Sequence, residues 1–130
     1  SWGIENRTAA LRAIPAGAKS SRIECRLPGA DVNPYLAMAA MLAAGLYGIK
    51  HKMEPPDPWN QNAYTAPENT FSALPGTLEE ATALLKESVV AREMFGSVFV
   101  DHYVTTREWE IKQYRQAVTD WELARYFEVI

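Results

Sequence analysis

The clearest chemical potential of the chain lies in residues 22–26, which have the sequence RIECR. If this segment is a β-strand, alternate side chains share a face, so Arg22 and Arg26 would flank Glu24 on one side of a sheet. Guanidinium groups match phosphate and carboxylate oxygens, and a carboxylate is a good ligand for a hard divalent cation. The segment is therefore a candidate site for an anion beside a metal ion. A solvated strand face with ordinary ion pairs is the alternative, and the spacing alone does not exclude it.

Two further arginines, Arg7 and Arg12, precede this segment. They are five residues apart, an odd offset that would place them on opposite faces of a regular strand. Only a bend or a bulge would make them converge, and without one they are surface cations. If they do converge, the four arginines and Glu24 would suit an anion bound beside a metal.

The elements that must position these side chains begin with a predicted β-hairpin within residues 1–28. Its two arms are Asn6 to Ile14 and Ser21 to Leu27, and residues 15–20 form a turn-rich linker with Pro15 and Gly17. The whole pattern predicts an α+β fold that is mostly helical, with this hairpin packed against a buried helix and several C-terminal helices.

The buried helix is predicted within residues 33–52, where Asn33 can cap it and Pro34 suits its first turn. It is apolar almost all round, so it needs protein on every side, which 130 residues can hardly supply. Residues 53–76 are rich in proline and predict a loop. Residues 77–130 predict a helical tail, whose segments are 77 to about 88, 88–95, 100 to about 118, and 121–127. Thr77 followed by Glu80 indicates where the first of these helices begins, and Gly96 indicates where the second ends.

Composition restricts the partners of the chain. A net charge of -3 argues against a nucleic-acid binder, which would normally carry a basic excess. The longest nearly apolar run, residues 35–49, is shorter than the ~20 residues that span a bilayer, so no membrane segment is expected. Cys25 is the only cysteine, which favours a reducing compartment, and the cytoplasm is the expected location.

Three segments together resemble the glutamine synthetase family. They are residues 5–12 (ENRTAALR), residues 22–37 with the Ala/Gly-rich helix that follows, and the ending at residues 118–128. The order and spacing of Asn-Arg, Arg, Arg-x-Glu-x-Arg and Asn-Pro-Tyr match, so the resemblance covers nearly the whole chain. It identifies the chain as similar to the C-terminal part of that family's catalytic domain.

The resemblance implies a role for each candidate. Arg7 and Arg12 match arginines that contact the ATP phosphates and the transferring phosphoryl group, and Arg22 matches a further arginine of the nucleotide site. Glu24 matches a ligand of the Mg²⁺ or Mn²⁺ ion beside those phosphates, and Arg26 matches the residue that holds substrate glutamate. In the family, ATP phosphorylates the glutamate side chain, and ammonia then displaces phosphate. The family works as a homo-oligomer with sites between subunits.

Three hypotheses follow for this chain. As a glutamate–ammonia ligase piece it lacks most of the family's metal ligands, so we expect the isolated chain to be inactive. The Pro28-Gly-Ala-Asp31 segment resembles instead the subgroup that joins glutamate to larger amines such as putrescine. A hypothesis from another class is a non-catalytic module that binds an anion or serves oligomerisation through the same arginines and the apolar helix.

Overall fold

The computed structural model describes residues 1–129 and divides the chain into two compact units. The first unit is Ser1–Ala73, and the second begins at Leu74. Strands occur in the first unit, and helices make up most of the second. This is the mostly helical α+β fold that the sequence predicts.

A three-stranded sheet forms the start of the first unit, with strands β1 (Trp2–Ile4), β2 (Leu11–Ile14) and β3 (Arg22–Cys25) in that order. Strands β2 and β3 are antiparallel, so the predicted hairpin is confirmed. Its first arm is shorter than expected, because residues 6–10 form a turn and only Leu11–Ile14 is extended. Strand β1, which runs parallel to β2, was not foreseen, because three residues are too few to show a period.

The connection from β1 to β2 is unusually short. Parallel neighbours normally need a crossover of about a dozen residues or more, whereas here the strands are joined by residues 5–10 alone. Glu5 makes the reversal possible by adopting a positive φ of 53°. This connection, called the β1–β2 turn below, carries Arg7.

Helix α1 (Pro34–Lys50) has the predicted bounds. The Asn33 side chain caps it by accepting hydrogen bonds from the backbone N–H groups of Tyr35 and Leu36, at 3.0 and 3.2 Å. Ala43 is its one buried residue among those described. Its large apolar side chains stay exposed: Tyr35, Met38, Leu42, Leu46 and Ile49. The helix therefore forms as expected, while this chain does not supply the cover that its apolar surface needs.

The loop after α1 contains one short 3₁₀ turn, Ala63–Thr65. The second unit then consists of α2 (Leu78–Glu87), α3 (Val89–Phe95), α4 (Ser97–Gln116) and α5 (Asp120–Tyr126). Helix α4 begins three residues before the predicted Val100, because the chain turns sharply at Gly96 (φ 81°) and resumes helical geometry at once. The buried centre of the second unit consists of Val100 and Val104 of α4 and Thr82 of α2. No helix within residues 1–129 is both long and apolar enough to cross a membrane.

Candidate functional site

The strand register places Arg12 of β2 directly opposite Glu24 of β3. Nη1 of Arg12 donates to Oε2 of Glu24 at 3.2 Å, and Nη1 of Arg26 donates to Oε1 at 2.7 Å. Each carboxylate oxygen is therefore bound by a different guanidinium. Arg26 lies just beyond β3, where its backbone N–H donates to the Ala10 carbonyl at 2.9 Å and keeps it at the sheet. Alternation along β3 correctly paired Glu24 with Arg26, whereas the approach of Arg12 came from pairing between strands.

A second carboxylate, Glu5, binds the other terminal nitrogen of Arg12. The hydrogen bond that Arg12 donates to Glu5 is the main reason that the pKa of Arg12 is raised, and Glu24 adds to the effect. Hydrogen bonds from Arg26 and then Arg12 lower the pKa of Glu24, so its carboxylate is ionised. The Arg12 side chain is 15% exposed. No signal in the sequence marked Glu5, because no strand or helix period relates it to Arg12.

We call Glu5, Arg12, Glu24 and Arg26 the carboxylate–arginine cluster. Its two arginines and two carboxylates balance in formal charge. The opposite face of the sheet is apolar, with a hollow of about 440 Å³ among residues that include Trp2, Leu11, Ala13, Ile23, Pro55 and Pro56. The ion pairs of the cluster therefore lie on one face of the sheet.

Arg22 and Arg7 stand outside the cluster. Arg22 is exposed, and its Nη1 donates to the nearby Ser20 carbonyl at 3.2 Å. Arg7 is exposed in the β1–β2 turn, and in the part of the chain that the structure describes it has no hydrogen bond or ion pair. Of the five predicted site residues, the structure thus brings three together. Within residues 1–129 Arg7 has no counter-charge, and it lies next to an open polar hollow of about 420 Å³ lined by residues 4–8 and 60–62.

The surroundings of Arg7 contain functional candidates that the sequence did not reveal. Asn6, the first residue of the predicted hairpin arm, donates from Nδ2 to the carbonyls of Trp59 and Gln61 at 2.8 and 2.9 Å. Thr8 Oγ1 accepts from the backbone N–H of Ala63 at 2.8 Å. These contacts join segments more than 50 residues apart, and no local pattern could have indicated them.

The arrangement suits the handling of oxygen anions more than any other chemistry. Arg7 offers an uncompensated guanidinium, and an incoming phosphate could compete with the carboxylates for Arg12. Glu24, ionised and partly exposed, could give one oxygen to a hard cation. Among residues 1–129, no group of three or more His, Cys, Asp or Glu side chains could hold a metal ion.

Comparison with known proteins gives a consistent picture. Residues 1–126 match the family described as "Glutamine synthetase, catalytic domain". The chain is 48% identical to glutamate–isopropylamine ligase from a Pseudomonas species, over all of this chain and 28% of the relative. It is 50% identical to gamma-glutamylethanolamide synthetase GlnA4 from Streptomyces coelicolor, over 98% of this chain and 27% of the relative. Glutamine synthetase from Thermotoga maritima is 40% identical, over 97% of this chain and 30% of the relative. The chain thus spans between a quarter and a third of their lengths.

Solved structures agree. A chain described as apo GmaS without ligand superimposes with a TM-score of 0.79 at 30% identity, over 98% of this chain and 29% of that one. A GmaS/ADP complex gives 0.77 at 31% identity, over 97% and 28%. Almost every described residue therefore has a counterpart within a larger chain of the same fold.

Proposed function

Because the chain belongs to the glutamine synthetase family, through that family's catalytic domain, we propose that it is the C-terminal part of an ATP-dependent ligase that joins an amine to glutamate. The observation that carries the proposal is the meeting of Arg12 and Arg26 on Glu24. Under the proposed assignments, this contact joins the cation that would bind phosphate, the carboxylate that would bind metal and the cation that would bind glutamate in one hydrogen-bonded group.

The proposed reaction has two steps. An oxygen of the glutamate side-chain carboxylate attacks the terminal phosphorus of ATP, and ADP leaves, which gives a γ-glutamyl phosphate. The amine nitrogen then attacks the acyl carbon, inorganic phosphate leaves, and the nitrogen loses a proton. Phosphoryl transfer needs mainly positioning and neutralisation of spread negative charge. Arginines supply both.

Each candidate residue has a distinct proposed part. Arg7 and Arg12 bind the phosphates and the transferring group, and Arg22 serves the nucleotide farther from the cluster. Arg26 holds a carboxylate of glutamate. The contact between Arg26 and Glu24 supports this assignment, because it orients the guanidinium without using all of its donors.

Glu24 is the residue of this chain that would hold Mg²⁺ or Mn²⁺. A bound divalent cation would supply neutralisation of phosphate charge beside the arginines. The remaining ligands would come from parts of the full-length protein beyond this chain, since a hard cation takes about six oxygens. The Glu24 carboxylate would then exchange an arginine contact for the cation, while Glu5 keeps its hold on Arg12.

The amine acceptor has two candidates. Ammonia would make the protein a glutamine synthetase. A larger amine is favoured by one observation: the relatives named for the amine isopropylamine and for the product gamma-glutamylethanolamide are 48 and 50% identical, whereas that from Thermotoga is 40%. Ammonia remains a candidate because a type-1 glutamine synthetase from Dictyostelium discoideum is 47% identical to this chain.

An amine panel separates these candidates. Purified full-length protein would be supplied with ATP, Mg²⁺ and glutamate, and phosphate release would be measured with ammonia, isopropylamine, ethanolamine and putrescine. We expect kcat/KM for at least one alkyl amine to exceed that for ammonia. Preference for ammonia would assign a glutamine synthetase instead. No turnover with any amine would contradict the ligase proposal itself.

The isolated chain is proposed to be inactive and prone to self-association. The exposed apolar side chains of α1 would be covered by the rest of the full-length protein, and without it they would drive association. Light scattering after size-exclusion chromatography, together with a phosphate-release assay, tests both statements. A monodisperse monomer that binds phosphate tightly would favour the non-catalytic anion-binding module.

Oligomeric state and location complete the proposal. By analogy with the family, the full-length protein is a homo-oligomer in the cytoplasm. Light scattering of the full-length protein checks the first, and a fluorescent fusion checks the second.

A further inference from the structure

The β1–β2 turn is fixed on both sides of Arg7 by a network that the proposed reaction does not use directly. Asn6 precedes Arg7 and Thr8 follows it. Oδ1 of Asn6 accepts from both the backbone N–H and the hydroxyl of Thr8, at 2.9 and 2.7 Å. The two residues are thus hydrogen-bonded to each other across Arg7.

The same two side chains tie the turn to residues 59–63. Asn6 Nδ2 uses both of its protons on the carbonyls of Trp59 and Gln61. Thr8 Oγ1 accepts from the Ala63 N–H at 2.8 Å. A side-chain amide offers two donor protons and an oxygen that accepts two hydrogen bonds, so Asn6 is fully satisfied. An amide placed in this way leaves the turn little freedom.

Gly3 on β1 makes this approach possible. A Cβ atom at Gly3 would lie 2.5 Å from the Trp59 carbonyl oxygen and 2.8 Å from the Asn6 Cβ. Real Cβ atoms do not approach backbone oxygen so closely. We call Gly3, Asn6, Thr8 and residues 59–63 the turn clasp.

The contrast within the turn is informative. The polar groups of the Asn6 and Thr8 side chains are hydrogen-bonded within the protein. The Arg7 guanidinium between them has no partner among the described residues and faces a polar hollow. A rigid backbone that presents an unsatisfied cation is the arrangement that preorganised anion binding requires. Arg7 is therefore held by its neighbours and available to a ligand.

We propose that Asn6 and Thr8 are positioning residues, which together with residues 59–63 hold Arg7 where it meets the transferring phosphoryl group. This inference rests on the proposed function, which gives Arg7 its role. It adds a segment more than 50 residues away to the site, although no side chain of that segment needs to touch substrate.

A double-mutant cycle in the full-length ligase tests the proposal. Arg7→Ala should lower kcat by about 100-fold, since one preorganised donor is commonly worth that much. Asn6→Ala should lower kcat by about 10- to 100-fold, because a displacement of about 1 Å can cost this much. If Asn6 acts through Arg7, adding Asn6→Ala to Arg7→Ala should change kcat by no more than about twofold.

Thr8 provides a pair of variants of nearly the same shape. Thr8→Val keeps the side-chain shape but removes the acceptor for the Ala63 N–H, whereas Thr8→Ser keeps the hydroxyl. We expect Thr8→Val to lower kcat, to leave KM for glutamate nearly unchanged, and to speed hydrogen exchange at Ala63. Thr8→Ser should restore both properties.

The outcomes separate the two proposals. If Arg7→Ala leaves activity intact, the role of Arg7 in the proposed function fails and the positioning inference falls with it. Suppose that Arg7→Ala abolishes activity. Only the positioning inference is then overturned if Asn6→Ala leaves kcat unchanged, or if Asn6→Ala lowers kcat as much in the Arg7→Ala background as in the wild type. Thr8→Val with wild-type kcat and faster Ala63 exchange would also overturn it.

Discussion

Several polar side chains in the unit Ser1–Ala73 bind atoms more than 50 residues away, whereas many of those in the unit that begins at Leu74 bind within about one helical turn. Trp2 Nε1 donates to the Pro56 carbonyl at 2.6 Å, and Asn6 reaches Trp59. In the second unit, Thr82 and Thr105 donate to carbonyls four residues earlier. The first pattern depends on tertiary folding, and the second on local geometry.

The ion pairs of the two units differ in their exposure to solvent. Arg12 is 15% exposed and is held by two carboxylates. In the second unit, Arg115 pairs with Glu79 between α2 and α4, and its side chain is 69% exposed. Exposed single pairs contribute little because water screens them and both side chains lose freedom. In the proposed function the charges of the first unit serve chemistry, whereas this exposed pair of the second unit joins α2 to α4.

The strongest way to break this comparison is to remove one arginine from each unit. In the full-length ligase, Arg12→Ala should lower kcat/KM by about 100- to 1000-fold, since it loses a preorganised donor. Arg115→Ala, the matched control, should change it by less than about twofold because that pair is exposed. Equal losses in a steady-state assay would contradict the assignment of function to the first unit.

A glycine exchange tests the rigidity of the two units. Gly3→Ala forces a methyl group against the Trp59 carbonyl and should destabilise the full-length protein by about 1–3 kcal/mol, as overpacking does. Gly76→Ala is the control, because its Cβ would meet only the Glu80 carboxylate at 3.6 Å. Denaturant titration measures both. If the Gly3→Ala protein were as stable as the wild type, the residues of the turn clasp would have to move to accommodate the added methyl group.

Helix capping sharpens the view that the second unit is organised locally. Thr119 accepts from the N–H of Glu122 at 3.2 Å, and Glu122 accepts from the N–H of Thr119 at 2.8 Å, a complete capping box. Thr119→Ala should cost helix α5 about 1 kcal/mol. Hydrogen exchange should quicken within α5 and nowhere in the first unit. Thr119→Ser, which keeps the hydroxyl, should exchange like wild type.

The smallest expected effect concerns the Arg115–Glu79 pair. A double-mutant cycle with Arg115→Gln and Glu79→Gln should give a coupling free energy below about 1 kcal/mol. Raising the salt concentration should reduce it further. A larger, salt-independent coupling from thermal unfolding would mean that this pair matters to the second unit as much as the carboxylate–arginine cluster does to the first.

Local signals predicted the second unit well because its determinants lie within one helical turn. Thr77 caps α2 as expected, with Glu80 N–H donating to its hydroxyl at 3.1 Å. The Glu80 side chain accepts from the Gly76 N–H, whereas in a capping box it would accept from the N–H of the cap residue Thr77. Gly96 ends α3 in the left-handed region, as a glycine after a helix often does. Side chains three or four residues apart are neighbours in any helix, so sequence alone sufficed.

For the site, the sequence by itself determined the chemical groups and part of their grouping. Alternation along β3 placed Glu24 with Arg26, and the resemblance named the family that the comparisons then matched. The assignment of roles to Arg7 and Arg22 remains a prediction. Sequence also determined that α1 is a helix too apolar for one small chain to cover.

Only the tertiary structure decided which distant residues surround those groups. The register of β2 against β3 brought Arg12 to Glu24, the left-handed conformation of Glu5 turned the chain back along β1, and Asn6 found its partners at Trp59 and Gln61. These contacts carry no period, because they arise where separate segments pack together. Residue type limits what a side chain can bind, but the fold decides what comes within its reach.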